Sequence, residues 1–571
     1  MGRPGRPRPI ELVEQPGIQG VLNQRGLSAP ADARHAGEQA DGDRRVEGPE
    51  VVAGSASKNQ PAHRHVDGSI LCGCNPKSEK TALTSIGDAQ AEPVRDFSDP
   101  RTRSERFLHD VAGRTFLTLW SYPNPYRETS SPNDPPKEIC DLLVVFGNDV
   151  LLFSDKEIEF PQNVDVEVAW ARWYRKAVKA SAKQLFGAER WLREHPDGIF
   201  TDRKCTQKLP INLPSNDKMR VHRIIVARGA SRPCQALMGG MGTLAQSSRE
   251  AEEGDFPFLC AQPDVARGYV HVWDDVTLEL LLDHLDTTAD LVRYLNERER
   301  IVREYDSFVV TGEEEALAFY LRYVNRAGEH YFTLKRVRPR RRGIRPNAVY
   351  LDEGFWAAFV NTDGYRHWRR DSIRSRAWDE LVQKFITHHL DGTGERFGPE
   401  ELSEREIMYR ALASPTRLQR RMMVDGLFHM GTDQRLRTGE IDMRRSILHP
   451  ISGEGPCFVF LILRHDRQWS PNDYKDRRRT MLQALVYSAM DAYKPGNVFI
   501  GLAMNPAFDE IGSEDAMYVD RRTCSADTAK LGKDFRKMLG AFQAKRELIS
   551  VSEFARNPKM PPPRAAGKPA R

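Results

Sequence analysis

The stretch that most constrains this chain runs from Glu138 to Lys156: Glu-Ile-Cys-Asp-Leu-Leu-Val-Val-Phe-Gly-Asn-Asp-Val-Leu-Leu-Phe-Ser-Asp-Lys. Two apolar runs, Leu142 to Phe146 and Val150 to Phe153, flank Gly147-Asn148-Asp149. Gly and Asn reach positive φ at low cost, so the pattern predicts a β-hairpin. Asp141 opens the first strand, and Ser154-Asp155-Lys156 ends the second. A carboxylate on one strand and a lysine at the end of its neighbour can bind a hard cation and activate water beside a phosphate. The same residues also suit an ordinary buried hairpin with charged ends.

The chain has 571 residues, enough for two to four domains at about 150 residues each. Hydrophobic residues make up 40% and charged residues 29%, a balance that suits a folded globular protein. Lys and Arg number 85 against 80 Asp and Glu, a net charge of +5. So small an excess does not by itself imply nucleic acid; its distribution matters more. Of eight cysteines, only Cys72 and Cys74 are close, and no second pair stands at zinc-ribbon spacing. Scattered cysteines in apolar segments, such as Cys140 and Cys457, fit a reduced, intracellular protein. No segment approaches the roughly 18 apolar residues of a membrane helix. The start, Met-Gly-Arg-Pro-Gly-Arg-Pro-Arg-Pro, has no apolar signal region. The expectation is a cytoplasmic protein with no membrane partner.

Residues 1–100 are rich in Gly, Pro, Ala, Arg and Asp without sustained apolar periodicity, which predicts a disordered tail. Residues 557–571, rich in Pro, Lys and Arg, predict another. Between them, Ser104 reads as the N-cap of a helix carrying Glu105, Phe107, Leu108 and Val111. After the hairpin come a long helical pattern over 164–193 and a strand over 218–227. The order helix, strand, strand, helix, strand defines an α/β unit over 101–230. Residues 231–330 read as a strand, Val270 to Trp273, followed by helices at 277–285, 291–302 and 313–324. Residues 331–450 are basic, aromatic and mostly helical, with helices at 378–390 and 404–428. A final α/β unit over 451–556 starts with the apolar run Cys457 to Leu463, as in a strand covered on both faces. A helix and a second strand follow, forming a βαβ crossover.

The order of elements over 101–230, with Glu105 on the helix, Asp141 on the first hairpin strand and Lys156 on the second, resembles the PD-(D/E)XK nuclease superfamily. This is the restriction-endonuclease-like fold, and the likeness is to its nuclease-related variants. It covers under a quarter of the chain. It implies a mixed sheet flanked by helices, with Asp141 and Glu105 holding Mg²⁺ or Mn²⁺ and Lys156 positioning the attacking water. Gln184, on the helix that follows, matches a supporting glutamine of some members. Two residues before the lysine the family has a carboxylate; here it is Ser154. Because side chains alternate along a strand, Asp155 points to the other face and cannot replace that acid without a bulge. Ser-x-Lys variants occur in the superfamily, and in the catalytic set Ser154 would either contribute its hydroxyl or hydrogen-bond a metal-bound water. Losing one carboxylate favours one metal ion over two.

The densest basic run contains Arg336, Arg338, Arg340, Arg341 and Arg342. Phe332, Tyr350, Phe355 and Trp356 lie close by in sequence. Such a surface can grip phosphates and stack bases, or be a solvated loop. His222, on the late strand, could face the site but reads better as a structural histidine, and His271 has no ligand partner at helical spacing. Glu313-Glu314-Glu315 reads as an acidic first helical turn. Arg477-Arg478-Arg479 reads as a solvated helix face. No phosphate-binding loop, dinucleotide fingerprint or nucleophile elbow appears. The whole reads as a multi-domain α/β protein: a restriction-endonuclease-like sheet, a helical middle and a second α/β unit. Whether it is an enzyme is left open. The first functional reading is a metal-dependent nuclease on DNA, in defence or repair. The alternative is a catalytically degenerate relative that binds nucleic acid or a protein partner without cutting.

Overall fold

The computed structural model describes residues 10–15, 113–129, 134–250, 256–305, 307–324, 329–333, 348–393, 402–450, 455–466, 468–509, 513–540 and 547–549. Glu105 and the five arginines of the basic run lie outside them. Residues 113–120 are helical. The first sheet contains β1 (Ser121–Pro123), β2 (Leu142–Phe146), β3 (Asp149–Glu157), β4 (Arg220–Arg228) and β5 (Val270–Trp273), in spatial order β5-β4-β3-β2-β1. β2 and β3 form the expected hairpin, with a two-residue turn at Gly147-Asn148. Gly147 takes φ +64°, the conformation that turn chemistry called for. β4 pairs parallel to β3, so the chain must cross over between them. The crossover is α1 (Val166–Tyr174) and α2 (Ala180–Glu194), joined by one π-helical turn at Arg175–Lys179.

Strand alternation divides the core. Leu143, Val145, Val150 and Leu152 face α1 and α2, packing with Trp170, Trp173 and Leu185. Leu142, Val144, Leu151, Phe153, Ile224 and Val226 face the opposite side. That side is covered by α3 (Asp275–His284), α4 (Thr288–Glu304) and α5 (Glu313–Leu321). The unit therefore does not close at residue 230: β5 completes the sheet, and the next helices cover its second face. A small four-stranded sheet, including Ser307–Val310 and Ala348–Leu351, adjoins it.

The helix expected over 404–428 is two helices, α6 (Leu402–Ala413) and α7 (Arg417–Gly431). Pro415 cannot continue α6, and Thr416 starts α7 with a capping box closed by Gln419. The C-terminal sheet contains β6 (Met443–Pro450), β7 (Cys457–Leu463), β8 (Val498–Met504) and β9 (Glu514–Asp520). β7 and β8 are parallel, linked by α8 (Pro471–Ala492) as the crossover pattern predicted. β7 is buried along its whole length. Phe458, Phe460 and Ile462 pack with the core of the first unit, while Cys457, Val459, Leu461 and Leu463 pack against α8. Strand Ile10–Gln15 pairs with β6, so the expected disorder of the leading region does not extend to these six residues.

The three glutamates at the start of α5 are not a solvated turn. All are buried, and each has its own partners. Glu313 makes a two-pronged ion pair with Arg298 and accepts from the Tyr294 hydroxyl. Glu315 accepts the N–H groups of Gly354 and Trp356. Glu314 accepts from the Thr243 hydroxyl, and burial pushes its carboxyl up to about 7. Its neutral form is therefore favoured by folding. The resulting stability is present below the ordinary value of 4.5 and is lost as pH rises through about 7. Glu314→Gln is expected to stabilise the protein at pH 8, by up to about 3 kcal/mol, and to change little at pH 4.5. Thermal unfolding of both proteins at the two pH values checks this; an equal shift at both would contradict it.

Arg477-Arg478-Arg479 also departs from a solvated face. Arg478 is buried and bonded to Asp515, Asn505 and Ser513, with Arg479 on the other oxygen of Asp515. Phe332 and Phe355, two aromatics proposed to stack bases, are core residues instead.

Candidate active site

Asp141 stands just before β2, at the end of its ladder with β3. Its N–H donates to the Phe153 carbonyl at 3.0 Å, and its Oδ2 accepts the Asp155 N–H at 2.7 Å. Lys156 projects from β3 with its Nζ 3.9 Å from the same Oδ2. Ser154 and Lys156 share a face by alternation. Ser154 is fully buried, with its hydroxyl next to the Asp141 carboxyl. The structure thus brings together Asp141, Ser154 and Lys156.

The backbone around the three residues is fixed from both sides. Beyond Lys156, the Trp173 indole N–H donates to the carbonyls of Ile158 and Arg228, at 3.0 and 3.2 Å, and ties the ends of β3 and β4 together. Gly229 permits that closure: it has φ +100°, and a Cβ there would lie 2.2 Å from the Ile158 carbonyl oxygen. Asp155 points away from the site, as alternation requires. It is held by Arg228 in a two-pronged pair, both bonds 2.9 Å. No bulge turns it back, so it does not supply the missing acid. Gln184 lies half-buried on α2 and makes no hydrogen bond to Asp141, Ser154 or Lys156.

Burial pushes the Asp141 carboxyl above its usual range, against the pull of Lys156 and the Asp155 N–H. Oδ2 carries those contacts. The Asp141 carboxyl and the Ser154 hydroxyl beside it are two hard oxygen donors at one end of the hairpin. A magnesium-type cation, which takes oxygen ligands and needs only one or two carboxylates, fits that donor set.

A second polar cluster, not anticipated from the pattern, occupies the opposite face of the sheet at the start of β3. The sequence pattern leaves His222 on β4 either facing the nuclease site or structural, and gives His271 on β5 no ligand partner. Both meet Glu299 of α4: His222 Nδ1 lies 2.8 Å and His271 Nε2 3.3 Å from Glu299 Oε1. Asp149 Oδ1 lies 3.1 Å from His222 Nε2, and Arg220 grips Asp149 with two bonds of 2.9 and 2.7 Å. Spacing along the chain gave no sign of this group, because its members come from four separate elements, β3, β4, β5 and α4.

Among the described residues no helix is long and apolar enough to cross a membrane. Comparisons with protein families, with characterised proteins and with solved structures found no match to this chain.

Proposed function

We propose that this protein is a metal-dependent phosphodiesterase that cuts DNA at Asp141, Ser154 and Lys156. The observation that supports the reading best is the convergence of these three residues from two antiparallel strands, with Asp141 and Lys156 3.9 Å apart. The hairpin, crossover helix and parallel strand around them follow the order that the resemblance to restriction-endonuclease-like nucleases implies. Asp141 Oδ1 and the Ser154 hydroxyl would hold Mg²⁺ or Mn²⁺. The bound cation would polarise the phosphate and make its water a stronger acid. Lys156 is about a third exposed, more than Asp141 beside it. Its ammonium would orient the attacking water and offset charge building on the phosphate. Asp141 keeps Lys156 in place, and the N–H of Asp155 keeps Asp141 in place.

The test is cleavage of plasmid and single-stranded DNA by the full chain with Mg²⁺, Mn²⁺ or EDTA. Cutting that requires the metal is the expected result. One observation favours a second reading, DNA binding without cleavage: Ser154 stands where a carboxylate would complete the set, and Asp155 is committed to Arg228. Salt-sensitive DNA retention with no cutting under any metal would replace the first reading with this one.

A further inference from the structure

The His222, His271 and Glu299 cluster is separate from the proposed cutting site. It lies on the other face of the sheet, and Asp149 and Ser154 are about 17 Å apart along β3 at 3.3 Å per residue. β4 and β5 run parallel with Ile224 level with His271, so His222 and His271 project from the same face of neighbouring strands. The side chains of both histidines are 1% exposed. Glu299 comes down from α4, whose preceding residue, Arg298, is locked to Glu313 on α5. That pair anchors the helix one residue from Glu299.

We propose that His222 Nδ1, His271 Nε2 and a carboxylate oxygen of Glu299 bind a first-row transition dication of the zinc class. All the ligand atoms lie within 4.8 Å of one another. Bonds of about 2.1 Å to zinc place neighbouring ligand atoms about 3.0–3.4 Å apart. The Nδ1–Oε1 and Nε2–Oε1 separations of 2.8 and 3.3 Å are already close to that. Two imidazole nitrogens and one carboxylate select zinc-like ions over magnesium, which prefers oxygen. The outer contacts fit as well. A ligating histidine generally donates its other ring N–H to a carboxylate, which fixes the tautomer. Asp149 takes that position behind His222, and it is itself held by Arg220 and, at 3.4 Å, by the Asn296 amide. Water completes the coordination. With both histidines buried, the ion ties α4 to β4 and β5.

The full chain, stripped by chelator, is titrated with Zn²⁺, Co²⁺ and Mg²⁺, following heat and thermal unfolding. The expected result is about one tight Zn²⁺ that raises the unfolding temperature, with no comparable Mg²⁺ effect. The Co²⁺ complex should lack a thiolate charge-transfer band, which separates this site from the cysteines. His271→Gln should abolish the tight event. Asp149→Asn, which leaves all three ligands in place, should weaken it about 10–100-fold. Circular dichroism of each variant separates lost binding from lost folding. Absence of tight Zn²⁺ binding overturns the proposal, as does a thiolate band or undiminished binding by folded His271→Gln.

Discussion

Asp141→Ala and Lys156→Ala are each expected to lower metal-dependent DNA cleavage by about 10²–10⁴-fold, the range for removing a group that handles a proton or charge at the reacting centre. The two losses should differ in kind. Asp141 supplies the only carboxylate that the described part of the site can offer a cation, so Asp141→Ala should also raise the Mg²⁺ concentration needed for half-maximal cutting. Lys156 touches no cation, and Lys156→Ala should lower the rate at saturating metal with little change in metal requirement. Lys156→Arg keeps the charge but not the compact ammonium, and should recover only part of the rate. Ser154→Asp gives a further check. It puts a carboxylate beside Asp141 on the same face, which should destabilise the metal-free protein by charge repulsion and tighten the metal requirement. Full activity in Asp141→Ala would remove this site from consideration, whatever the protein does to DNA.

The second large effect concerns stability. Arg298→Ala is expected to cost about 3–5 kcal/mol, because it leaves Glu313 as an unpaired buried charge. Both side chains are 1% exposed, and the pair is joined by two bonds of 2.9 Å. The loss exceeds what the pair contributes, since desolvating both ions offsets most of their attraction. A double replacement, Arg298→Met with Glu313→Leu, should therefore recover most of the stability. Urea unfolding of the three proteins measures both quantities. A cost below about 1 kcal/mol for Arg298→Ala would mean that water reaches Glu313 once the guanidinium is gone.

Local chemistry explains which elements could be read in advance. The β2–β3 hairpin was legible because its turn and both apolar runs lie within a few residues of one another. The Asp141–Lys156 approach was legible for the same reason, helped by strand alternation. Ser154 and Asp155 took the opposite faces that alternation assigns. The α6–α7 break carried its own signal in Pro415-Thr416, masked by helical periodicity on either side. Arg478 was misread because a run of three charges looks uniform in sequence. On a helix, consecutive residues point about 100° apart, so one of three can face inward. The histidine–glutamate cluster had no local signal. Glu299 lies 77 residues from His222 and 28 from His271, and only the β4–β5 register and the placing of α4 bring them together.

The apolar core that runs from β2 and β3 through α6 and α7 to β7 and β8 bears on how the protein can be divided. Trp120, beside β1, donates to Glu406 on α6, so polar contacts cross the same boundary. A fragment ending at residue 230 would leave β4 as a bare edge strand and uncover Leu151, Phe153, Ile224 and Val226. Such an edge recruits other chains. Limited proteolysis should therefore release no stable fragment ending near residue 230, and any inherited rearrangement that separated the two sheets would have to rebuild both exposed surfaces at once.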